Sequence, residues 1–470
     1  MPVRSLTEAL PAAWTRGEIS VIGLARSGRA VAELLRRAGA DVYASDAGAG
    51  HAVLRATLHL APLGVEVEHG GHDLARIARS AVVVASPGVP PNAPPLQAAR
   101  DAGVPIVGEM EIALQFLPHQ RYIAITGTNG KTTTTALVHR LLQGLGYDAV
   151  AAGNIGTPLS EVALREQPPA WIALEASSFQ LHDTPSIAPA VGVLTNLSAN
   201  HLDRYSSVDA YYADKAELFR NANERSVWVS NADDDAVQGM VRGAPAGRHL
   251  RFTTASGAAD GYLDRATGML VVLGSPLIAR GELSLMGDHN VANALAASLA
   301  VMGADALHLA PASRARIAEA LRAFRALEHR IEPVGRYRDV DWINDSKSTN
   351  VASTLVALRG MQRPTVLLLG GRHKGEPYSA LAEELRRTGK QVLAYGEAGP
   401  TVVQDLDGVV PVELLGSNFE EVLTRAREMA HPGDAVLLSP ACSSYDMFDN
   451  YEERGRVFKQ LAAALGAATA

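Results

Sequence analysis

Cysteine is almost missing from this 470-residue chain. Cys442 is the single one, so no intrachain disulfide can form, which fits a reducing cytoplasm. No uncharged apolar run reaches the roughly 18 residues that a bilayer span needs, so no membrane segment is expected. The first residues, Met1-Pro-Val-Arg-Ser-Leu-Thr-Glu, hold no apolar core of signal-peptide length. Positive charge is not in excess either: 43 Lys and Arg face 50 Asp and Glu, a net charge of -7. That balance argues against a nucleic-acid partner, and any anionic ligand must be held by local groups rather than by a global field. Internal repeats and low-complexity tracts are lacking too.

What is present is a globular composition, 47% apolar and 20% charged, in a chain long enough for two to four domains. Short apolar runs alternate with helical patterns throughout, the signature of α/β folds with parallel sheets. Strands are expected at Ile19–Ile22, Val42–Ala44, Ala81–Ala85, Ile123–Ile125, Trp171–Leu174 and Ala190–Leu194. A further set follows at Trp342–Ile343, Thr365–Leu369, Val392–Tyr395 and Ala435–Leu438. Helices are expected over Arg29–Arg37, Tyr211–Phe219 and Val291–Val301, and residues 242–287 read as a small β insertion. Three α/β domains result, over residues 1–108, 109–326 and 327–470.

The most informative stretch is Ile123-Ala-Ile-Thr-Gly-Thr-Asn-Gly-Lys-Thr-Thr-Thr-Thr135. A β-branched strand enters a glycine-bearing turn and leaves it as a helix. This arrangement aims backbone N–H groups and a helix N-terminus at a polyphosphate. Gly127, Thr128, Asn129 and Gly130 form the turn. Lys131 is placed for the β and γ phosphates, and Thr132 or Thr133 for Mg2+.

Other constellations lie at expected strand ends. Gly23-Leu-Ala-Arg-Ser-Gly28 with Asp46 resembles a dinucleotide fingerprint, but Ala25 stands where a glycine lets the backbone approach a pyrophosphate. A nucleotide-bearing substrate is the alternative, with Ser86-Pro87-Gly88 on the same edge. Glu175 ends the strand beside the phosphate loop, where Mg2+ needs an anionic ligand. Asn200-His201-Leu202-Asp203-Arg204-Tyr205 is dense in polar function, and His201 suits a metal or a phosphate-bearing substrate. Lys215, between Asp214 and Glu217, reads by composition as a surface lysine. Asn290 and Asn293 share a helix face and read either as caps or as adenine contacts. In the last third, Glu328-His329-Arg330 precedes a strand, and Asn344 to Asn350, Gly370 to Gly375 and Ser439 to Asp446 are loops at the C-terminal ends of strands facing one crevice. Arg330 and Lys374 are its cations, while Cys442 reads as packing.

Together these motifs resemble the Mur ligases, ATP-dependent amino-acid-adding enzymes of peptidoglycan synthesis. The runs Gly153-Asn-Ile-Gly156, Leu174-Glu-Ala-Ser-Ser-Phe-Gln-Leu181, Trp342-Ile-Asn-Asp-Ser-Lys347 and Leu438-Ser-Pro-Ala-Cys442 are most similar to the D-glutamate-adding branch. The resemblance implies a Rossmann-like first domain for a UDP substrate, a central P-loop ATPase-like domain, and a Rossmann-like C-terminal domain for the amino acid. It implies a reaction of ATP, UDP-N-acetylmuramoyl-L-alanine and D-glutamate, with two Mg2+ ions, in a monomer.

By the same resemblance Arg26, Ser27 and Asp46 line a uracil pocket, while Asn154 and Ser177 face the muramoyl end; Ser86 and Gly88, at their strand end, are placed to offer N–H groups to the diphosphate of that substrate. Gly127 to Thr133 hold ATP together with Asn290, Asn293, Arg330 and Asp345. Thr132, Glu175, His201 and Lys215 (as a carbamate) hold metal. Lys347, Thr349, Lys374 and Ser444 take the glutamate, with Tyr445 and Tyr451 standing where Leu and Phe are usual. A folylpolyglutamate-type ligase shares the phosphate loop but lacks the domain around Gly23–Gly88. A nucleotide-dependent switch would not need the crowded polar loops of the last third.

Overall fold

The computed structural model describes residues 4–200, 204–243, 246–255 and 259–466. Three sheets carry the three α/β domains. The chain divides into two compact units. One comprises Met1–Arg280 with Ala292–Arg322, the other Gly281–Val291 with Ala323–Ala470.

The first sheet is wholly parallel, in the order Glu66–His69, Val42–Asp46, Ile19–Ile22, Val82–Ala85, Ile106–Gly108. Its three inner strands are apolar and buried on both faces, as parallel strands covered by helices must be. Register brings Ile22 beside both Ser45 and Ala85, so Gly23, Asp46 and Ser86 emerge together at one edge. The strand Glu66–His69 is not legible as an apolar run. It is an edge strand and carries charge at alternate positions, Glu66 and Glu68. The helix expected from Arg29 starts at Arg26, so Arg26 and Ser27 belong to its first turn. Gly28 is obligatory there, because a Cβ would lie 1.7 Å from Gly23 O.

In the same unit, the second sheet has nine strands, with Tyr122–Thr126 between Trp171–Glu175 and Val191–Leu194. All pairings from Ala149–Gly153 through to Gly261–Asp264 are parallel, and the last two, to Met269–Val272 and Ser275–Ala279, are antiparallel. The stretch read as a β insertion is therefore not a separate element. Its strands Arg248–Thr253 to Ser275–Ala279 extend the edge of this sheet. Helix Lys131–Gly144 follows Tyr122–Thr126 after the four-residue turn at 127–130.

The other unit holds a six-stranded sheet in the order Glu332–Tyr337, Val340–Asn344, Ala435–Leu438, Thr365–Gly370, Gly389–Tyr395, Val412–Leu414. Only the first pair is antiparallel. Core clusters cover both faces, one around Leu367, Leu369 and Leu437, the other around Trp342, Leu368 and Phe458.

Candidate active site

The turn after Tyr122–Thr126 is built from the next strand over. Asn196 Oδ1 accepts from Asn129 N at 2.8 Å, its Nδ2 donates to Asn129 O at 2.9 Å, and its carbonyl takes Thr128 N at 2.8 Å. Thr195 Oγ1 donates to Asn129 O at 2.7 Å. Gly127 sits at φ 141°, with no room for a side chain against Thr195. Gly130 caps the helix in the left-handed region. Lys131 Nζ curls back to donate to Gly127 O at 3.0 Å and Thr128 O at 2.8 Å, over the turn that the helix N-terminus faces. Thr132 and Thr133 are buried in the first turn. Asn293 closes the loop from another helix, its Oδ1 accepting from Thr134 Oγ1 at 3.2 Å. Thr195 and Asn196, which fix this loop, carry no sequence signal beyond standing at a strand end.

Glu175 is in register with Ile125 and buried. Its Oε1 accepts from Asn154 Nδ2 at 2.9 Å, while Oε2 has no hydrogen-bond partner among the described residues. Lys215 is not the surface lysine its composition suggests. It is 1% exposed, its Nζ donates to Gly127 O at 2.8 Å, and it lies 4.6 Å from the Tyr211 ring centroid. The helix Val208–Ala216 turns it inward, and Tyr211 on the same face reaches Thr128 Oγ1 at 3.3 Å. Burial first, then Lys131 beside it, hold the Lys215 amine well below its ordinary pKa. His201, with Leu202 and Asp203, lies outside the described residues.

A cavity of about 670 Å³ opens at the edge of the first sheet. Arg26, Ser27, Asp46, His72, Ser86, Gly88, Asn154 and Gln180 line it. The strand order reverses between Ile19–Ile22 and Val82–Ala85, which is where a doubly wound sheet receives ligands. Several of its polar groups are already engaged. Asp46 accepts Leu24 N and Gly48 N, both at 2.7 Å. Ser86 Oγ donates to Gly23 O at 2.9 Å. Arg26 forks onto Glu161 and reaches Gly156 O at 2.7 Å, tying this helix to the central sheet's loops. Ser177 is the N-cap of helix Ser178–His182, and its capping partner Gln180 is the one that lines the cavity.

In the other unit, the loops after Val340–Asn344, Ala435–Leu438 and Thr365–Gly370 meet at one edge. Asp345 Oδ2 accepts from Ser348 Oγ at 2.5 Å and from Ser439 Oγ at 2.7 Å, and Oδ1 from Ile331 N at 3.2 Å. Burial pushes its carboxyl up to about 6. Arg330 stands between two strained residues, His329 at φ 63° and Ile331 at φ 41°. Such strain in a β-branched residue is kept only where surroundings impose it. Lys374 Nζ donates to Thr349 Oγ1 at 3.3 Å across the edge, Ser444 is buried in the loop after Ala435–Leu438, and Tyr445 is exposed. Lys347 Nζ lies 5.4 Å from the Tyr451 ring centroid. Asn290 Nδ2 donates to Met286 O at 2.8 Å. Cys442 is buried, and Tyr378 OH lies 2.9 Å from its Sγ, so it does pack.

The described residues contain no cluster of three or more His, Cys, Asp or Glu side chains poised for a metal. No helix among them is long and apolar enough to cross a membrane.

Three family descriptions match the chain in order. They are the Mur ligase MurD-like N-terminal domain over residues 17–108, the Mur ligase middle domain over 125–301, and the Mur ligase glutamate ligase domain over 329–442. A UDP-N-acetylmuramoylalanine–D-glutamate ligase of Salinibacter ruber is 40% identical over 465 residues, spanning 96% of this chain and 98% of that protein. One from Anaeromyxobacter dehalogenans is 40% identical over 94% of this chain and 97% of its own length. Among solved structures, the UDP-N-acetylmuramate–alanine ligase MurC of Thermotoga maritima shares the fold at TM-score 0.61 and 19% identity, covering 96% of this chain and all of its own. MurF of Acinetobacter baumannii does so at TM-score 0.60 and 15% identity, over 99% of both chains. With three matching domains in order and relatives similar over nearly their whole length, this chain belongs to the Mur ligase family.

Proposed function

We propose that this protein is the ligase that joins D-glutamate to UDP-N-acetylmuramoyl-L-alanine, using ATP, in cytoplasmic peptidoglycan precursor synthesis. It acts as a monomer, with domains at residues 1–108, 109–326 and 327–470 taking the UDP substrate, ATP and the amino acid. One observation supports this most. Asn154 lines the nucleotide cavity and donates to Glu175 at the edge of the phosphate loop. A substrate whose nucleotide fills the cavity and whose acid end passes Asn154 arrives where a terminal phosphate would be held.

An amide does not form from a carboxylate and an amine in water without activation. ATP phosphorylates the carboxylate, and the amine of D-glutamate displaces phosphate from the acyl phosphate through a tetrahedral intermediate. Bringing a carboxylate to a triphosphate costs about 4 kcal/mol per charge pair at 4 Å and an effective dielectric near 20. The Lys131 ammonium offsets part of this, and the N–H groups of Gly130 to Thr133 at the helix N-terminus take phosphate oxygens.

The orphaned Glu175 Oε2 fits a hard divalent cation, and Mg2+ would be held by Thr132, Glu175, His201 and Lys215 as a carbamate. Mg2+ supplies neutralisation of charge between the phosphoryl group and the carboxylate. Lys215 is suited to the carbamate because only a neutral amine captures CO2, and burial shifts its balance toward the neutral form. Arg26, Ser27, Asp46, Ser86 and Gly88 serve the nucleotide end, and Asn154 and Ser177 the muramoyl end. Asn290, Asn293, Arg330 and Asp345 serve ATP. Lys347, Thr349, Lys374, Ser444, Tyr445 and Tyr451 serve D-glutamate.

The test is ADP release with UDP-N-acetylmuramoyl-L-alanine against a panel of D- and L-amino acids. Release should require D-glutamate, and hydroxylamine should trap an acyl hydroxamate. Dependence on another amino acid, or steady hydrolysis without an acceptor, would overturn the reading.

A further inference from the structure

The cavity at the edge of the first sheet is furnished unevenly. Its inner end, at Gly153 and Asn154, adjoins the phosphate loop. Its middle is the backbone of Gly23 and of Ser86 to Gly88. Its outer end is formed by Asp46, Ala47 and His72, beyond the second strand, where a doubly wound sheet receives a ribose and base. At that end Asp46 accepts from Leu24 N and Gly48 N, one on each oxygen, and so staples the loops that form the pocket wall. The loop carrying His72 is pinned in turn, with Gly70 N on Gly48 O at 3.0 Å and Gly71 N on Asp46 O at 3.2 Å.

His72 differs from its neighbours. Its Nδ1 lies 2.8 Å from Ser45 Oγ, on the last buried turn of the second strand, and that contact orients the ring. No described residue partners its Nε2. Burial holds the ring's pKa below the ordinary histidine value, outweighing Asp46 and Glu68 nearby, so the imidazole is neutral at neutral pH. A neutral imidazole with one nitrogen fixed presents the other as a single, directed hydrogen-bonding group.

Resting on the reading that this cavity takes a uridine nucleotide, we propose that His72 reads the base. Its Nε2 bonds the polar edge of the pyrimidine and selects uracil over cytosine, whose edge reverses donor and acceptor at two positions. His72 is thus a specificity residue, remote from the reacting atoms. A site built to hydrogen-bond one group rejects the analogue that leaves a buried polar group unpaired far more strongly than an apolar pocket rejects an extra methyl.

Calorimetric binding of UDP and CDP to the full-length protein tests this without relying on turnover. The unaltered protein should bind UDP about tenfold or more tighter than CDP. His72→Ala and His72→Phe, the second keeping ring volume, should weaken UDP about tenfold and bring the two nucleotides within about twofold of each other. His72→Gln, which keeps a hydrogen-bonding terminus, should hold part of the preference. In turnover assays the KM for the nucleotide substrate should rise with kcat within about twofold. Should His72→Phe keep the full preference for UDP, or lose UDP and CDP affinity equally, the assignment falls while the functional reading stands. If the unaltered protein binds neither nucleotide, the cavity's role as a nucleotide site falls first.

Discussion

Replacing Gly127 by alanine tests how the phosphate loop is held. The added carbon would lie 2.0 Å from Thr195 Oγ1 and 3.1 Å from Asn196 O, at a φ of 141° that L side chains rarely adopt. Overpacking of this kind costs about 1–3 kcal/mol, and a strained φ about 1–3 kcal/mol more. A Tm fall of roughly 5–15 °C in the unit carrying the loop follows from these magnitudes. The loop cannot shift alone. Thr195 also bonds Asn129 O, and both Lys131 and Lys215 donate to Gly127 O. A displacement near 1 Å there should cost about a hundredfold in kcat/KM for ATP. Scanning fluorimetry and ADP release read the two effects. The discriminating variant is Gly127→Ala with Thr195→Ala, which removes the atom at 2.0 Å and leaves nothing nearer than 3.1 Å. The pair should be more stable than the summed single effects by about 1 kcal/mol or more. Gly127→Ala with unchanged Tm and KM for ATP, or a strictly additive double variant, would refute the argument.

Three further outcomes follow from other sites. Lys215, buried and with its pKa held well below the ordinary lysine value, should bind CO2, so activity in bicarbonate-depleted buffer should fall about tenfold or more and return on adding bicarbonate, with a carbamate signal in ¹³C NMR. Equal activity in both buffers would count against the carbamate. Glu109 is buried, its Oε1 accepts Ser160 N at 2.6 Å, and burial raises its carboxyl to about 7. Between the ordinary value and about 7 the folded state keeps a proton that the unfolded chain releases, so stability falls as pH rises through that window. Glu109→Gln should therefore be more stable than the unaltered protein by about 2–3 kcal/mol at pH 8 and no more stable at pH 4; a pH-independent difference in thermal melts would contradict this. Arg454 is fully buried and donates to Ser346 Oγ, Ser346 O and Cys442 O at 2.8 to 3.2 Å. Arg454→Met strips donors from two buried carbonyls and should cost about 2–4 kcal/mol, seen as a lower Tm. An unchanged melt would show that the network contributes nothing.

The chain's own residues settle the local chemistry. Glycines at 127 and 130 followed by lysine admit one kind of turn between a buried strand and a helix, and runs such as Ala435–Leu438 have no stable place outside a parallel sheet. Strand type was legible wherever both faces are buried, and lost where they are not. Glu66–His69 is an edge strand with charged alternate residues, and the strands from Arg248 to Ala279 extend a sheet instead of forming an inserted element. Composition likewise makes Lys215 a surface lysine, because local sequence records neighbours in the chain and not the Gly127 carbonyl that receives its Nζ. The roles of Asn196 and His72 are illegible in the sequence for the same reason. An asparagine or a histidine acquires its role from the loop brought against it, and that loop lies 67 residues away for Asn196 and Asn129. Residue type and periodicity fix which elements form, since backbone sterics and burial act over a few residues. Which side chains converge on Gly127 or on the cavity's outer end is decided only by register and strand order, which are properties of the packed sheet.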